Sequence, residues 1–209
     1  MKRVLKASFC AVLAVAPWAL TAAPALAAGP DCVGTQTGQT FGGGLNVPAD
    51  QLCILNGGTV TGNATVQSGA ALIVNGSTVT GSVSAQGATV QLVHASVGGS
   101  FSSVSPVNYP IPNDGSYKRV YVCGSTISGN VSVQYASSFG SIEFGGANCT
   151  GNGGGNTIGA NLTDVYNTVA GGNHIVGGNQ VGNVPYCAGN VPAPAGPANT
   201  ARIKVGQCA

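Results

Sequence analysis

The chain has 209 residues, of which only 6% are charged, with seven Lys or Arg against five Asp or Glu. Three of the cations, Lys2, Arg3 and Lys6, stand at the start; beyond them four cations face five acids, so the body is nearly neutral. That excludes nucleic-acid binding, which needs clustered Lys and Arg to neutralise phosphates.

Residues 1–28 read as a secretory signal peptide. A short basic stretch precedes an uncharged run from Ala7 to Ala23, and Ala25-Leu26-Ala27 supplies the small-x-small pattern of a cleavage site. Pro17 and Pro24 interrupt the run, which is short for a spanning helix of roughly 20 residues. No second apolar span follows, so the mature chain is expected to lack a membrane span. Its expected location is secreted, periplasmic or at the cell surface.

Cys10 falls inside the leader, and six cysteines remain: Cys32, Cys53, Cys123, Cys149, Cys187 and Cys208. An even number in a secreted chain reads as three disulfides. The spacing leaves the connectivity open; the best single pairing is Cys187 with Cys208, which ties the Pro-rich end to the body. No C-x-x-C pair is present, so neither a zinc site nor a thioredoxin-type redox site is expected.

From residue 59 one pattern recurs: a β-branched residue, then Ser, Thr or Gly, then Gly, Asn or Ser, then alternating apolar positions. It runs as Thr59-Val60-Thr61-Gly62-Asn63, Thr78-Val79-Thr80-Gly81-Ser82, Ser96-Val97-Gly98-Gly99-Ser100 and Thr126-Ile127-Ser128-Gly129-Asn130. Two looser copies follow at Ile158-Gly159-Ala160-Asn161 and Val176-Gly177-Gly178-Asn179. The anchors are Val60, Val79, Val97, Ile127, Ile158 and Val176. Three of their steps are one rung long; the other two, from Val97 to Ile127 and from Ile127 to Ile158, are one rung plus an insertion. A long period with outward insertions is the mark of a solenoid. An antiparallel sandwich would give turn signals at about 8–12 residues and no long period. The expected fold is all-β, a single-stranded right-handed parallel β-helix with about 18–19 residues per rung. Val60 and Val66 are expected to point inward and Thr59, Thr61 and Thr65 outward, by the period of two in a strand. Gly62, Gly81 and Gly129 are expected at corners, often with positive φ.

The expected organisation is a leader over 1–28, a solenoid over 29–184 with insertions near 105–122 and 139–155, and a Pro-rich cap or tail over 185–209. The first insertion gathers Tyr109, Tyr117, Lys118, Arg119 and Tyr121, the densest aromatic and basic group after the leader, and is a candidate recognition loop. Pro185, Pro192, Pro194 and Pro197 argue against a central strand near the end.

Rungs opening on Val60-Thr61-Gly62-Asn63 resemble those of bactofilin-type and other secreted bacterial parallel β-helix proteins. The ending, from Gly189-Asn190-Val191-Pro192-Ala193-Pro194 to Gly206-Gln207-Cys208, is similar to that of secreted bacterial proteins carrying such repeats. The resemblance implies a non-catalytic scaffold, surface or polymer-forming role. The leader and the cysteine set depart from bactofilins.

Candidate chemistry is sparse. Asp31, Asp50, Asp114, Glu143 and Asp164 are the only acids, and their spacing would stack Asp31 with Asp50 and Glu143 with Asp164 on adjacent rungs. Paired carboxylates of that kind would suit acid/base work on a polysaccharide. His94 reads as an outward strand residue and His174 as a turn residue; two histidines without a carboxylate pattern make no metal site. No G-x-S-x-G elbow marks a serine nucleophile. Thr59-x-Thr61 and Thr78-x-Thr80 suggest the flat Thr face of an ice-binding solenoid, but the pattern decays at Ser96-x-Gly98 and Ser128, which favours β-propensity as the reason for Thr. The functional expectation is a non-enzymatic structural or adhesive solenoid without cofactor, with itself or a cell-surface polysaccharide as partner. The alternatives are a polysaccharide-active enzyme or carbohydrate-binding module on a β-helix, and an ice-binding protein.

Overall fold

The computed structural model describes residues 29–111, 118–137, 139–146, 149 and 154–208. The expected leader over 1–28, Pro112 to Tyr117 and most of the residues around Cys149 lie outside them. Every strand pairing among the described residues is parallel, and the strands coil through three sheets in turn.

The first rung is Gly34–Thr37 (β1), Thr40–Gly42 (β2) and Leu45–Val47 (β3), and the second is Leu52–Asn56 (β4), Thr59–Thr61 (β5) and Ala64–Val66 (β6). Ala71–Asn75 (β7), Thr78–Val79 (β8) and Val83–Gln86 (β9) form the third; Thr89–Val93 (β10), Ser96–Val97 (β11) and Phe101–Val104 (β12) the fourth. Lys118–Cys123 (β13), Thr126–Ile127 (β14) and Val131–Gln134 (β15) make the fifth, then Ser141–Gly145 (β16), Thr157–Ile158 (β17) and Leu162–Val165 (β18) the sixth. His174–Gly177 (β19), Gln180–Val181 (β20) and Pro185–Ala188 (β21) close the seventh, and Thr200–Ala201 (β22) with Val205–Gly206 (β23) begin an eighth. The first strand of each rung builds one sheet (sheet 1), the second another (sheet 2) and the third the last (sheet 3). The chain is thus the parallel β-helix expected from the repeat. Early rungs are in step with the sequence period, since the anchor Val60 pairs with Val79 and Val79 in turn with Val97.

The interior is a column of small and branched apolar side chains. Val60, Val79, Val97, Ile127, Ile158 and Val181 line it from sheet 2, Leu72, Leu92, Val122 and Phe144 from sheet 1, and Val66, Val83, Phe101 and Val131 from sheet 3. Alternation holds where the sequence predicts it, with Val60 and Val66 enclosed and Thr61 and Thr65 exposed. Full burial of a Val or Leu side chain contributes about 1.5–3 kcal/mol, so the stack is held chiefly by this column.

Corners are built by two kinds of side-chain ladder. On the inside, between sheets 1 and 2, the Ala95 N–H donates to Ser125 Oγ, Ser125 N–H to Asn156 Oδ1, Asn156 N–H to Asn179 Oδ1 and Asn179 N–H to Asn199 Oδ1. Between sheets 3 and 1 the same relation links Ala136, Asn167, Asn190 and Gln207. On the outside, between sheets 2 and 3, the direction reverses: Ser82 N–H donates back to Asn63 Oδ1, Ser100 to Ser82, Asn130 to Ser100 and Asn161 to Asn130. The Gly-Asn and Gly-Ser pairs of the repeat are therefore corner caps. Gly62 has a φ of 114°, as expected, but Gly81 and Gly129 lie outside the positive-φ set. They are glycine because a Cβ would collide with the backbone carbonyl of Gly62 or Gly99 on the preceding rung.

Three boundaries differ from the sequence expectation. The stretch near 139–155 contains β16, whose Ile142 and Phe144 are fully enclosed, so the outward loop starts only after Gly145. The last anchor is Val181, which pairs with Ile158, whereas Val176 lies in sheet 1 against Phe144. Pro185 opens β21, between β18 and β23, yet β23 pairs only with Tyr186 and Cys187. A proline at the first residue of a strand needs no ladder N–H, so the Pro-rich segment continues the stack.

Disulfides join Cys32 to Cys53, Cys123 to Cys149 and Cys187 to Cys208. The first and last lie within the core column near its two ends, and the middle one packs outside sheet 1 with Tyr121 and Val93. Three disulfides mark an oxidising extracellular or periplasmic environment. Among the described residues no helix is long and apolar enough to cross a membrane.

Candidate functional site

The outer face of sheet 2 carries an ordered row of side chains. Register places Thr40, Thr59, Thr78, Ser96, Thr126, Thr157, Gln180 and Thr200 one above another on successive rungs. All are exposed except the half-buried Thr59. The row was legible only in part, because the insertions hide that Thr126, Thr157 and Thr200 belong with Thr59 and Thr78. The sequence-level decay is real for the neighbouring row alone, which runs Gly42, Thr61, Thr80, Gly98, Ser128, Gly159 and Gly182. At Gly98, Gly159 and Gly182 a Cβ would meet a carbonyl oxygen of the rung before. Strand spacing sets the hydroxyls about 4.8 Å apart along the stack. At the far end the face dips into a trough of about 370 Å³ beside Thr157, Gln180, Thr200 and Arg202.

The acids do not pair as their spacing suggested. Asp31 bridges to Asn46 and accepts a hydrogen bond from its amide, whereas Asp50 sits at the next corner with a φ of 58°. Glu143 is on the outer side of sheet 1, between Tyr121 and Ile175 in register, and is almost fully buried. Asp164 is on the inner side of sheet 3, in register with Val133 and Cys187. A one-rung spacing in sequence thus becomes two different faces, because the gap crosses a loop. Asp114 lies outside the described residues.

Asp164 belongs to an enclosed polar centre. His174 Nε2 is 2.9 Å from its Oδ2, with both side chains fully buried. Asn167 donates to Oδ1 and Asn190 to Oδ2, each at 2.8 Å. His174 Nδ1 lies 3.1 Å from the carbonyl oxygen of Pro192, which only accepts, so Nδ1 carries a proton. His174 is therefore a core residue at the start of β19 rather than a turn residue. His94 stands apart, exposed at a corner with a φ of 50°. Among the described residues no three His, Cys, Asp or Glu gather as metal ligands.

The candidate recognition group is divided by the fold. The Tyr109 N–H donates to Thr89 Oγ1, which in turn donates to the carbonyl oxygen of Val107, so this stretch drapes over the start of β10. Lys118 places its ammonium 3.7 Å from the Tyr121 ring centroid. Tyr121 is nearly buried against the Cys123–Cys149 bridge, and Arg119 is wholly enclosed. The Arg119 guanidinium donates to the carbonyl oxygens of Gly140 and Thr168, and burial pushes its pKa down from the ordinary value. Tyr117 lies outside the described residues. Arg119 thus braces the corners that precede β16 and β19, Tyr121 packs on the bridge to Cys149, and of the described members only Tyr109 and Lys118 reach solvent.

Among the described residues the exposed aromatics that sequence reasoning missed are Tyr135, Phe139, Tyr166 and Tyr186, and of these Tyr135 and Tyr166 form a pair. Their rings stack, with centroids 5.7 Å apart and planes within 7°, at the corner after sheet 3. Comparison with protein-family models, with curated proteins and with solved structures finds no match to this chain.

Proposed function

We propose that the protein is a non-enzymatic, secreted or cell-surface β-solenoid with a structural or adhesive role, which lies with the outer face of sheet 2 against an ordered, uncharged surface. The observation that carries this reading is the in-register row from Thr40 to Thr200, which a rigid scaffold holds at a fixed repeat. A solid polysaccharide surface presents uncharged donors and acceptors at regular intervals, as this row does. Secretion is supported by the basic start, apolar run and Ala25-Leu26-Ala27 of the leader, together with three disulfides. The non-catalytic reading is supported by the placement of the carboxylates: Asp164 is committed to His174, Asn167 and Asn190 inside the core, and Asp31 to Asn46.

The test is co-sedimentation of the mature chain with crystalline cellulose and chitin, with electron microscopy of the chain alone for self-assembly. Retention on a solid polysaccharide, lost when Thr59, Thr126 and Thr157 are together replaced by Lys, is the expected result. A soluble monomer retained by neither solid, or hydrolysis of uronate polymers, would overturn the reading. The same Thr row favours ice as a second surface, and thermal hysteresis abolished by the same replacement would select it.

A further inference from the structure

We propose that the corner between sheets 3 and 1 is a second binding site, a groove along the stack that takes a single neutral glycan strand. Each rung carries a left-handed residue soon after sheet 3, joined later in the two longer corners by Gly140 and Gly171. Gly69, Gly87 and Gly189 fill that position with φ of 77°, 61° and 65°, whereas Asp50, Ser105, Tyr135 and Tyr166 fill it with φ of 58°, 49°, 59° and 55°. Glycine adopts this conformation freely and Asp tolerates it, while a bulky side chain is a genuine outlier there. Two tyrosines on consecutive rungs keep the strained conformation although their side chains remain 52% and 58% exposed. Burial does not explain them; strain retained at an exposed position points to a role in recognition.

The surroundings define the ligand. A trough of about 520 Å³ leads up to Ser105 along the same corner, lined by Gln67, Ser68, Gln86 and Gly87. Ser105 N–H donates to the Gln134 carbonyl, so the trough adjoins Tyr135 directly. Tyr166 covers one face of the Tyr135 ring, and the Gly189 backbone lies against the Tyr166 ring. The opposite face of Tyr135 is thereby turned along the stack towards Ser105 and the trough. The polar lining consists of amides and hydroxyls that both donate and accept, with no charge among them, and the half-exposed Tyr135 ring stands on the next rung. Sugar hydroxyls and the apolar face of a pyranose ring match that set. Rungs advance by about 4.8 Å, close to the length of one sugar residue, so an extended glycan running along the stack meets a fresh rung with each residue. A proline-rich peptide fits less well, because the two rings close on each other and leave no slot between them.

This site is separate from the sheet 2 face, and the experiment keeps them apart. The mature chain is titrated with cellohexaose, xylohexaose and chitohexaose, following tyrosine fluorescence and calorimetry. At least one hexasaccharide should bind, with affinity reduced tenfold or more in Tyr135→Gly, which keeps the corner conformation, and several-fold in Gln86→Ala. Replacing Thr59, Thr126 and Thr157 by Lys should leave hexasaccharide affinity unchanged. The assignment is overturned if no hexasaccharide binds, if both corner variants bind like the wild type, or if a polyproline peptide binds at this corner instead.

Discussion

Asp164 and His174 meet inside the solenoid at 2.9 Å, one from sheet 3 and one from sheet 1, at positions that neighbouring rungs fill with Val133 and Ile142. Removing one partner of a buried pair leaves the other uncompensated, at a cost of about 3–5 kcal/mol, whereas replacing both by apolar residues of similar size is often close to neutral. Asp164→Ala should therefore lose stability in that range. The double variant Asp164→Val/His174→Ile should recover only part of it, since Asn167 and Asn190 keep their bonds to the Val133 and Asp164 carbonyls but each loses its carboxylate acceptor. Guanidinium unfolding of the four members of the cycle checks this.

The inner asparagine ladder gives a second expectation. Asn156 accepts from Ser125 N–H and donates to the Val122 carbonyl, both buried. Asn156→Ala orphans these two groups, each costing roughly 1–3 kcal/mol. Hydrogen exchange should show the Ser125 amide losing protection first, and unchanged protection there would contradict the ladder.

The end disulfides should act locally. Cys187 and Cys208 close a segment of 21 residues in sequence separation, and a loop of that size is worth about 3 kcal/mol in the chain-entropy account. Cys187→Ser/Cys208→Ser should raise exchange in β22 and β23 while β7 to β12 stay protected. Loss of protection spread evenly over the stack would count against rung-by-rung stability.

Strain at the tyrosine corner is also measurable. A left-handed non-glycine residue costs about 1–3 kcal/mol, and the stacked pair returns about 0.5–1.5 kcal/mol. Tyr166→Gly should then stay within about 1 kcal/mol of the wild type. Tyr166→Val should be clearly destabilised, because a β-branched residue fits φ near 55° poorly. Equal melting temperatures for the two variants would remove the strain argument.

The repeat made the architecture legible because Val60, Val79, Val97, Ile127 and Ile158 occupy equivalent positions on one sheet, each with a Thr or Ser just before it and a Gly just beyond. It misled at Val176, where Val-Gly-Gly-Asn imitates a sheet 2 strand although the true partner of Ile158 is Val181, set beyond a lengthened turn. It hid β16, since Glu143 and the glycines around Phe144 interrupt β-branched alternation. The inner ladder did have a signal: Ser125, Asn156 and Asn199, and Ser77, whose Oγ accepts from the Gly58 N–H in the same way, each stand directly before the Thr of the outer row. The Asp164–His174 meeting had none, because the two are joined across a loop and no period links them. Tyr135 and Tyr166 were invisible as a pair for a related reason: the segment between them includes an insertion, and nothing in the sequence announces a left-handed tyrosine.

The two kinds of corner ladder run in opposite directions, so neighbouring rungs hold each other from both sides. Asn63, Ser82, Ser100 and Asn130 are acceptors that one rung holds out to the rung that follows, whereas Ser125, Asn156, Asn179 and Asn199 reach back to the rung before. A rung added at either side therefore finds one ladder ready to receive it and completes the other as it docks. Each rung boundary is thus closed twice over, and the Cys187–Cys208 bridge ties the segment after β23 to β21.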